Sequence, residues 1–465
     1  MLDLIIKNGK IVTSNESFIA DIGVKDGKIV AVSKGLEMEA LKIVDATGKL
    51  VLPGAIDAHT HLAMPFGGTV SADSYLSGTR AAACGGVTTV FDYPVQRKGN
   101  TIMGLIDSKK EICEKEACVD YAFHCCITDL NEGAILEEME TAVTEGVTSF
   151  KCFLVYKKEG MMVDDGTLVT LLLRAKEVGA MLNIHAENPD LIDRNITKFL
   201  SEGKTSAWYH YLSRPEAVEA EADKRAVHWA RSFHAPIYLV HMADKEGLEE
   251  CIKAKTEGHE VYIETCPQYL EFTSDVYKRE DGRNFVCSPP MKGKESQEAL
   301  WMAIKNGMID TVATDHCPFQ SYEKDWGRDD FTKIPNGCAG VENLYPYMLA
   351  AANAGKISFE RAVELCAANP AKIFGCANKG SLSVGKDADI VIYDTEKDFT
   401  IHVENMHSDY DHTIWEGKEF HGYPVQTYLR GELIYEDGEF VGTPGMGHFV
   451  KRVSRKTNYQ KSISK

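Results

Sequence analysis

Between residues 53 and 375 the chain alternates short apolar runs with amphipathic stretches of about 12 to 16 residues, and this rhythm constrains the fold more than any other feature. Eight runs carry it: AIDAHTHL, TTVFDY, DYAFHCCI, SFKCFLV, MLNIHAE, PIYLVHM, EVYIETC and DTVATDH. Runs of this length read as strands buried on both faces, which is the burial that parallel strands experience. The stretches between them read as helices. SADSYLSGTRAAACGG opens on a Ser/Asp cap region and ends on paired glycines, and NEGAILEEMETAVTEG spaces its apolar residues three and four apart. Eight βα units in one segment of roughly 320 residues predict an α/β fold, a TIM (β/α)8 barrel. SFERAVELCAANPAKIFG is the expected closing helix.

The two ends read differently. LIIKNGKIV turns through Asn8-Gly9 and DIGVKDGKIVAVS through Asp26-Gly27, both hairpin signals. DADIVIYD and TYLRGELIYEDGEFV repeat the style near the other end, with Asp437-Gly438 as a turn. Residues 1–52 and 376–443 are therefore expected to build one β-sandwich beside a barrel over 53–375. The tail, 444–465, is basic against an acidic body; it is expected to be an oligomer contact or partly disordered, with its last dozen residues solvated. A formal charge of −18 argues against nucleic acid or an anionic membrane as partner and leaves a small ligand. Thirteen scattered cysteines without a CxxC pair suit a reduced, cytoplasmic chain, and no export signal or membrane span is readable.

In a barrel of this kind functional side chains stand at the carboxyl ends of the strands. The first run ends in His59 and His61, the fourth carries Lys151, the fifth ends in His185, the sixth in His241 and the eighth in Asp315. These six are predicted to converge on one face. His59 and His61, two apart on a strand, point the same way and can reach one ion. An HxH pair alone is a weak signal, and His124, His234 and His259 are read as structural. Five nitrogen or oxygen ligands at separate strand ends are much harder to reach by accident, so a metal site is the preferred reading. Lys151 sits in a run apolar enough to be a buried central strand, where an unpaired ammonium costs several kcal/mol. A carboxylate partner, a Schiff-base lysine or a carbamate formed with carbon dioxide would each resolve that charge. Facing four histidines and an aspartate, the carbamate is favoured, because an anion lowers the repulsion between two metal ions.

HTHLAMPFGGT, SFKCF followed by Tyr156-Lys157, IHAEN, ETCPQYL, CSPP, ATDHCPF and DFTKIPNG, in this order, resemble the dihydropyrimidinase and D-hydantoinase family of cyclic amidohydrolases. The resemblance covers nearly the whole chain. It implies two zinc ions per subunit, with manganese or cobalt as substitutes. His59, His61 and Asp315 would serve one ion, His185 and His241 the other, and N6-carboxylysine at Lys151 would bridge them. It further implies that a shared hydroxide opens a ring amide, giving N-carbamoyl amino acids from 5,6-dihydropyrimidines and 5-substituted hydantoins. Asp315 would act as general acid and base, Tyr156 as donor to the developing oxyanion, and Ser288 and Asn336 would hold the ring through backbone groups. A homotetramer is the implied assembly.

Met64, Phe66, Phe153 and either Met161 or Met162 are expected to wall the substituent on the ring. Dihydroorotases carry an arginine two residues after the second histidine; here that position is Ala63, which weighs against a charged substrate. Allantoinase chemistry needs a more polar pocket than the MPFGG loop offers. A non-catalytic scaffold related to dihydropyrimidinase is the alternative from another class, and a metal-free lyase using Lys151 is a third. All six ligand positions are occupied by ligating residues, which speaks against the scaffold. No Walker loop or dinucleotide fingerprint is visible.

Overall fold

The structure, a computed structural model, describes residues 1–456. Each of the eight runs folds as a strand: Ala55–Thr60, Val87–Asp92, Asp120–Phe123 continued by Cys125–Cys126, Ser149–Phe153, Met181–His185, Ile237–Leu239, Val261–Thr265 and Thr311–Val312. They pair in parallel with their neighbours in chain order, as in Val90↔Tyr121, Lys151↔Asn183 and Glu264↔Thr311. The ladder breaks only at His124, between the two parts of the third strand, which leaves a three-stranded and a six-stranded sheet. The outermost strands of that series meet: Thr60 bridges His316, and the His61 amide donates to the His316 carbonyl at 2.8 Å. Helices connect successive strands and bury their apolar stripes on them. The first, Tyr75–Cys84, is capped by Ser74, whose hydroxyl accepts from the Ser77 amide. The last expected helix forms in three pieces, Phe359–Val363, a π-helical turn over Glu364–Ala368, and Asn369–Phe374. Pro370 in the third piece offers no amide to the ladder, and the register shifts just before it.

The two ends of the chain share a seven-stranded sheet in which Leu50–Pro53 pairs antiparallel with Ile390–Thr400. A four-stranded sheet from residues 2–45 faces it, and Ile6, Ile22, Val24, Val51, Ile390 and Val425 meet in one apolar cluster. Asp26-Gly27 and Asp437-Gly438 turn hairpins as expected, Lys25↔Lys28 and Glu436↔Glu439 being the closing pairs. Asn8-Gly9 does not. Leu2–Lys7 pairs with Asp21–Lys25 and Ala40–Asp45 in the smaller sheet, whereas Lys10–Val12 pairs with Ser17–Ile19 and Leu50–Pro53 in the larger. The Asn8 backbone amide donates to Asp21 Oδ1 at 2.8 Å and its side chain to Asp45 Oδ1 at 2.9 Å, so the left-handed corner passes the chain from one sheet to the other. Gly9 is required there, since a Cβ would stand 2.3 Å from Val51 Cγ2.

Part of the basic tail packs on the amino-terminal ends of the parallel strands. The Val450 amide donates to the Tyr121 carbonyl at 2.8 Å, and the buried Arg452 donates to Ser149 Oγ at 2.7 Å and to the Phe123 carbonyl. The rest of that expectation, residues 457–465, lies outside the described residues. Among the described residues no helix is long and apolar enough to cross a membrane.

Candidate active site

The six predicted ligands gather where the strands end. His59 Nε2 and His61 Nε2 each stand 3.1 Å from Asp315 Oδ1, and Lys151 Nζ is 3.0 Å from His59 Nε2. His185 Nδ1 and His241 Nε2 are 3.0 Å apart, and the His59 and His241 rings stack at 5.4 Å. One ligand atom from each of His59, His61 and Asp315 falls within 4.8 Å of the other two, the spacing a single ion would span. The backbone is strained to achieve this. His241, Asp315 and Tyr156 have φ of 43°, 52° and 66°, a left-handed conformation uncommon outside glycine. Each lies just past a strand end, where the twist aims the side chain inward.

A second layer of groups fixes the imidazoles. His59 Nδ1 lies 2.6 Å from Glu264 Oε1, which also accepts from the His241 amide at 3.0 Å, while Tyr238 donates to Glu264 Oε2 at 2.7 Å. Burial pushes the Glu264 carboxyl up to about 8, but donors converging on both oxygens suit an ionised acceptor. His59 is then protonated at Nδ1 and turns its Nε2 lone pair inward. His185 Nε2 lies 2.9 Å from Glu187, itself bonded by Arg214 at 2.7 Å, which leaves Nδ1 of His185 free to ligate. His61 Nδ1 and His241 Nδ1 are buried without a partner. Burial drives the pKa of His59, His185 and His241 down and so favours the neutral imidazole that a metal requires. Burial lowers Lys151 too, and outweighs the pull of Asp315 and Glu264; the amine stands 3.0 Å from His59 Nε2 and over the faces of Tyr93 and Phe153. Asp315 is held well below the usual carboxylate range: burial opposes this, but His59, His61 and His241 outweigh it. Inward lone pairs of imidazole nitrogen around one carboxylate are a donor set that fits a divalent cation.

A small cavity above the cluster, about 30 Å³, is lined by His61, Lys151, His185, His241 and Asp315 on its floor and by Met64, Phe66, Phe153, Tyr156, Met161, Ser288 and Asn336 on its walls. His59 lies beneath that floor, and Met161 rather than Met162 faces in. Asn336 Nδ2 donates to Ser288 Oγ at 2.8 Å, which ties the two loops together. Burial raises the Tyr156 phenol, so its hydroxyl stays protonated and able to donate. The cavity continues into a cleft of about 380 Å³ that shares Phe66, Tyr156 and Asn336 with it. His124, read as structural, is buried one ring behind this site: it stacks on Tyr93, which packs on His59, and its Nδ1 lies 2.5 Å from Ser149 Oγ.

Residues 50–434 match the model of the amidohydrolase family. The chain belongs to that family. Within it, the chain is 42% identical over 457 residues to a D-hydantoinase of Rhizobium radiobacter, covering 97% of this chain and 99% of the relative. It is 38% identical over 461 residues to a dihydropyrimidinase of Rattus norvegicus, covering 97% and 88%. The crystal structure of dihydropyrimidinase from Brevibacillus agri superposes with a TM-score of 0.95 at 40% identity, covering 98% of this chain and 99% of that one. This amidohydrolase is thus a hydrolase of the dihydropyrimidinase and D-hydantoinase family, as its motifs suggest.

Sequence reasoning passed over Glu264, Glu187, Arg214 and Tyr238. One of them was within reach, since Glu187 stands two past His185 in IHAEN, whereas Glu264 shares EVYIETC with a second glutamate, Glu260, and nothing local singles it out. Tyr238 and Arg214 carry no local signal, because their partners are fixed only by the fold.

Proposed function

We propose that the protein opens the ring amide of 5,6-dihydropyrimidines and 5-substituted hydantoins to N-carbamoyl amino acids, with two zinc ions as cofactor. The observation that carries this reading is the convergence of His61, Lys151, His185, His241 and Asp315 at the floor of one cavity, with His59 directly beneath it. Residues 53–375 are read as a (β/α)8 barrel that presents these residues, and residues 1–52 with 376–443 as the second domain. His59, His61 and Asp315 would hold one ion, and His185 and His241 the other. Lys151, whose amine burial favours in the neutral form, adds to carbon dioxide: an N–C bond forms, one proton leaves, and the side chain becomes an anion able to lie between two cations. Zinc bound there supplies a water acidic enough to give hydroxide near neutral pH.

The remaining steps belong to the chain's own side chains. Asp315 accepts the proton of the attacking water and returns it to the ring nitrogen as the C–N bond breaks. The Tyr156 hydroxyl donates to the carbonyl oxygen while charge collects on it. Backbone groups at Ser288 and Asn336 fix the ring, and Met64, Phe66, Phe153 and Met161 exclude water around an apolar substituent. The experiment is a comparison of ring opening of dihydrouracil, 5-phenylhydantoin and allantoin by metal-loaded protein, with zinc counted per chain. Turnover of the first two with two zinc ions per chain supports the proposal; opening of allantoin alone, or protein that takes up no metal, sinks it. A homotetramer is the assembly proposed, and sedimentation velocity checks it.

A further inference from the structure

Lys324 is a buried ammonium that the chemistry above does not use. It stands in the short helix Ser321–Lys324, after the eighth strand, and its side chain runs inward beneath two loops. Nζ donates to the Val286 carbonyl at 3.0 Å, the Pro335 carbonyl at 2.8 Å and the Gly337 carbonyl at 2.7 Å. Three donors meet three acceptors, so each N–H of the ammonium has a backbone partner. Charge-assisted bonds of this kind are the strong ones, and three of them offset the burial that lowers the lysine's pKa. Their placement is what matters. Val286 precedes the Cys287-Ser288 step, and Pro335 and Gly337 flank Asn336 on both sides. The Gly337 amide donates to the same Val286 carbonyl at 2.9 Å, so one carbonyl links both loops to the lysine.

We infer that Lys324 is a positioning residue that fixes the spacing between the Ser288 and Asn336 loops and so sets affinity for the cyclic amide without touching it. The inference rests on the proposed role of those two loops in holding the ring. Replacing Lys324 by methionine keeps the bulk but takes the ammonium from the Pro335 and Gly337 carbonyls and leaves the Val286 carbonyl only its bond from the Gly337 amide, so the two loops relax outward. KM for dihydrouracil or 5-phenylhydantoin then rises roughly tenfold, the binding cost of about one misplaced hydrogen-bond partner. Because Lys324 contacts none of the six predicted ligands, kcat and zinc content stay near those of the parent protein.

The test is Lys324→Met in the full-length, zinc-loaded protein, read by kcat and KM separately, by zinc per chain, and by amide hydrogen exchange. Raised KM with kcat nearly kept, and faster exchange over 284–291 and 334–340 but not over 149–153, supports the inference. Unchanged KM with unchanged exchange overturns it. So does a loss of kcat at constant KM in proportion to the unfolded fraction, which marks a merely structural lysine. If Lys324→Met does not fold, Lys324→Gln, whose shorter amide offers two donors, decides by the same readouts with a smaller rise in KM. If the parent protein opens no cyclic amide, the proposed function fails on its own, and the exchange comparison still decides whether Lys324 holds the loops.

Discussion

Glu264 lies 205 positions from His59 in the chain, yet it orients that imidazole and holds the His241 backbone with the same oxygen. A carboxylate behind a metal-binding histidine fixes the tautomer and raises its basicity, and losing it typically weakens metal binding about 10- to 100-fold. Glu264→Gln preserves the shape but offers the His59 N–H a weaker acceptor. The expected outcome is faster loss of zinc to a chelator, by about that factor, with the fold intact by circular dichroism. Tyr156 is a sharper test of the chemistry. Tyr156→Phe deletes only the hydroxyl proposed to donate to the oxyanion, so kcat should fall about 10²- to 10³-fold while KM changes little. An equal loss in KM would instead make Tyr156 a binding residue. The contrast with Lys151 shows what a sequence discloses at this scale. A charge inside an apolar run stands out locally, and the strand-end histidines follow from the same reading. Glu264 looks like any half-buried acid until the fold brings its partners to it.

The eight parallel strands were legible as elements because burial on both faces leaves continuous apolar runs, a signal contained within each segment. Asn8-Gly9 misled because its turn chemistry is local whereas the choice of pairing partner is made by distant strands. Helix packing hides similar information. Glu219 and Asp223, one turn apart on the helix Glu216–Phe233, face Asp244, the cap of the helix Lys245–Thr256. All three are buried, and the nearest cation, Lys292, stands 3.3 Å from Glu219 Oε2. Gly247 makes the approach possible, since a Cβ there would lie 2.3 Å from Asp223 Oδ2. Burial drives these carboxyls up, Glu219 to about 8, Asp244 to about 6 and Asp223 well above its ordinary value. A raised acid binds its proton more tightly in the folded state. Its contribution to stability is therefore complete below the unfolded value near pH 4 and is lost as pH rises through 6 and then 8. Asp223→Asn removes one of the three from this competition. The variant should lose less Tm than the parent between pH 5 and pH 8, with a gain at pH 8 on the order of 1 kcal/mol. Thermal unfolding at the two pH values checks it, and parallel curves for the two proteins would refute the assignment.

At the scale of the molecule, the question is what couples the two-ended sheet structure to the strands that carry the site. Lys379 is one link. Its Nζ is bonded to Asp120, which opens the third parallel strand, and lies 2.8 Å from Asp389 and 3.0 Å from Asp387, just before Ile390–Thr400 of the seven-stranded sheet. Arg430, from the turn after Glu419–Leu429, joins Asp120 as well. Lys28 pairs with Asp387 in turn, so three cations face three carboxylates, and the Lys379 side chain is 3% exposed. The attractions hold Lys379 far above its usual value against the pull of burial, whereas Asp120 is held down by Lys379 and Arg430 against its own desolvation. Replacing such an ammonium leaves buried charge uncompensated, which typically costs about 3–5 kcal/mol. Lys379→Met should lose stability of that order in urea unfolding. Because the damage falls on the junction and none of the six predicted ligands bonds to these residues, zinc content at low denaturant should stay that of the parent. The loss should also be uneven: the sheet structure detaches first, so calorimetry of the variant shows two transitions where the parent shows one. A single transition, displaced without splitting, would mean that apolar packing rather than this ion cluster holds the two parts together.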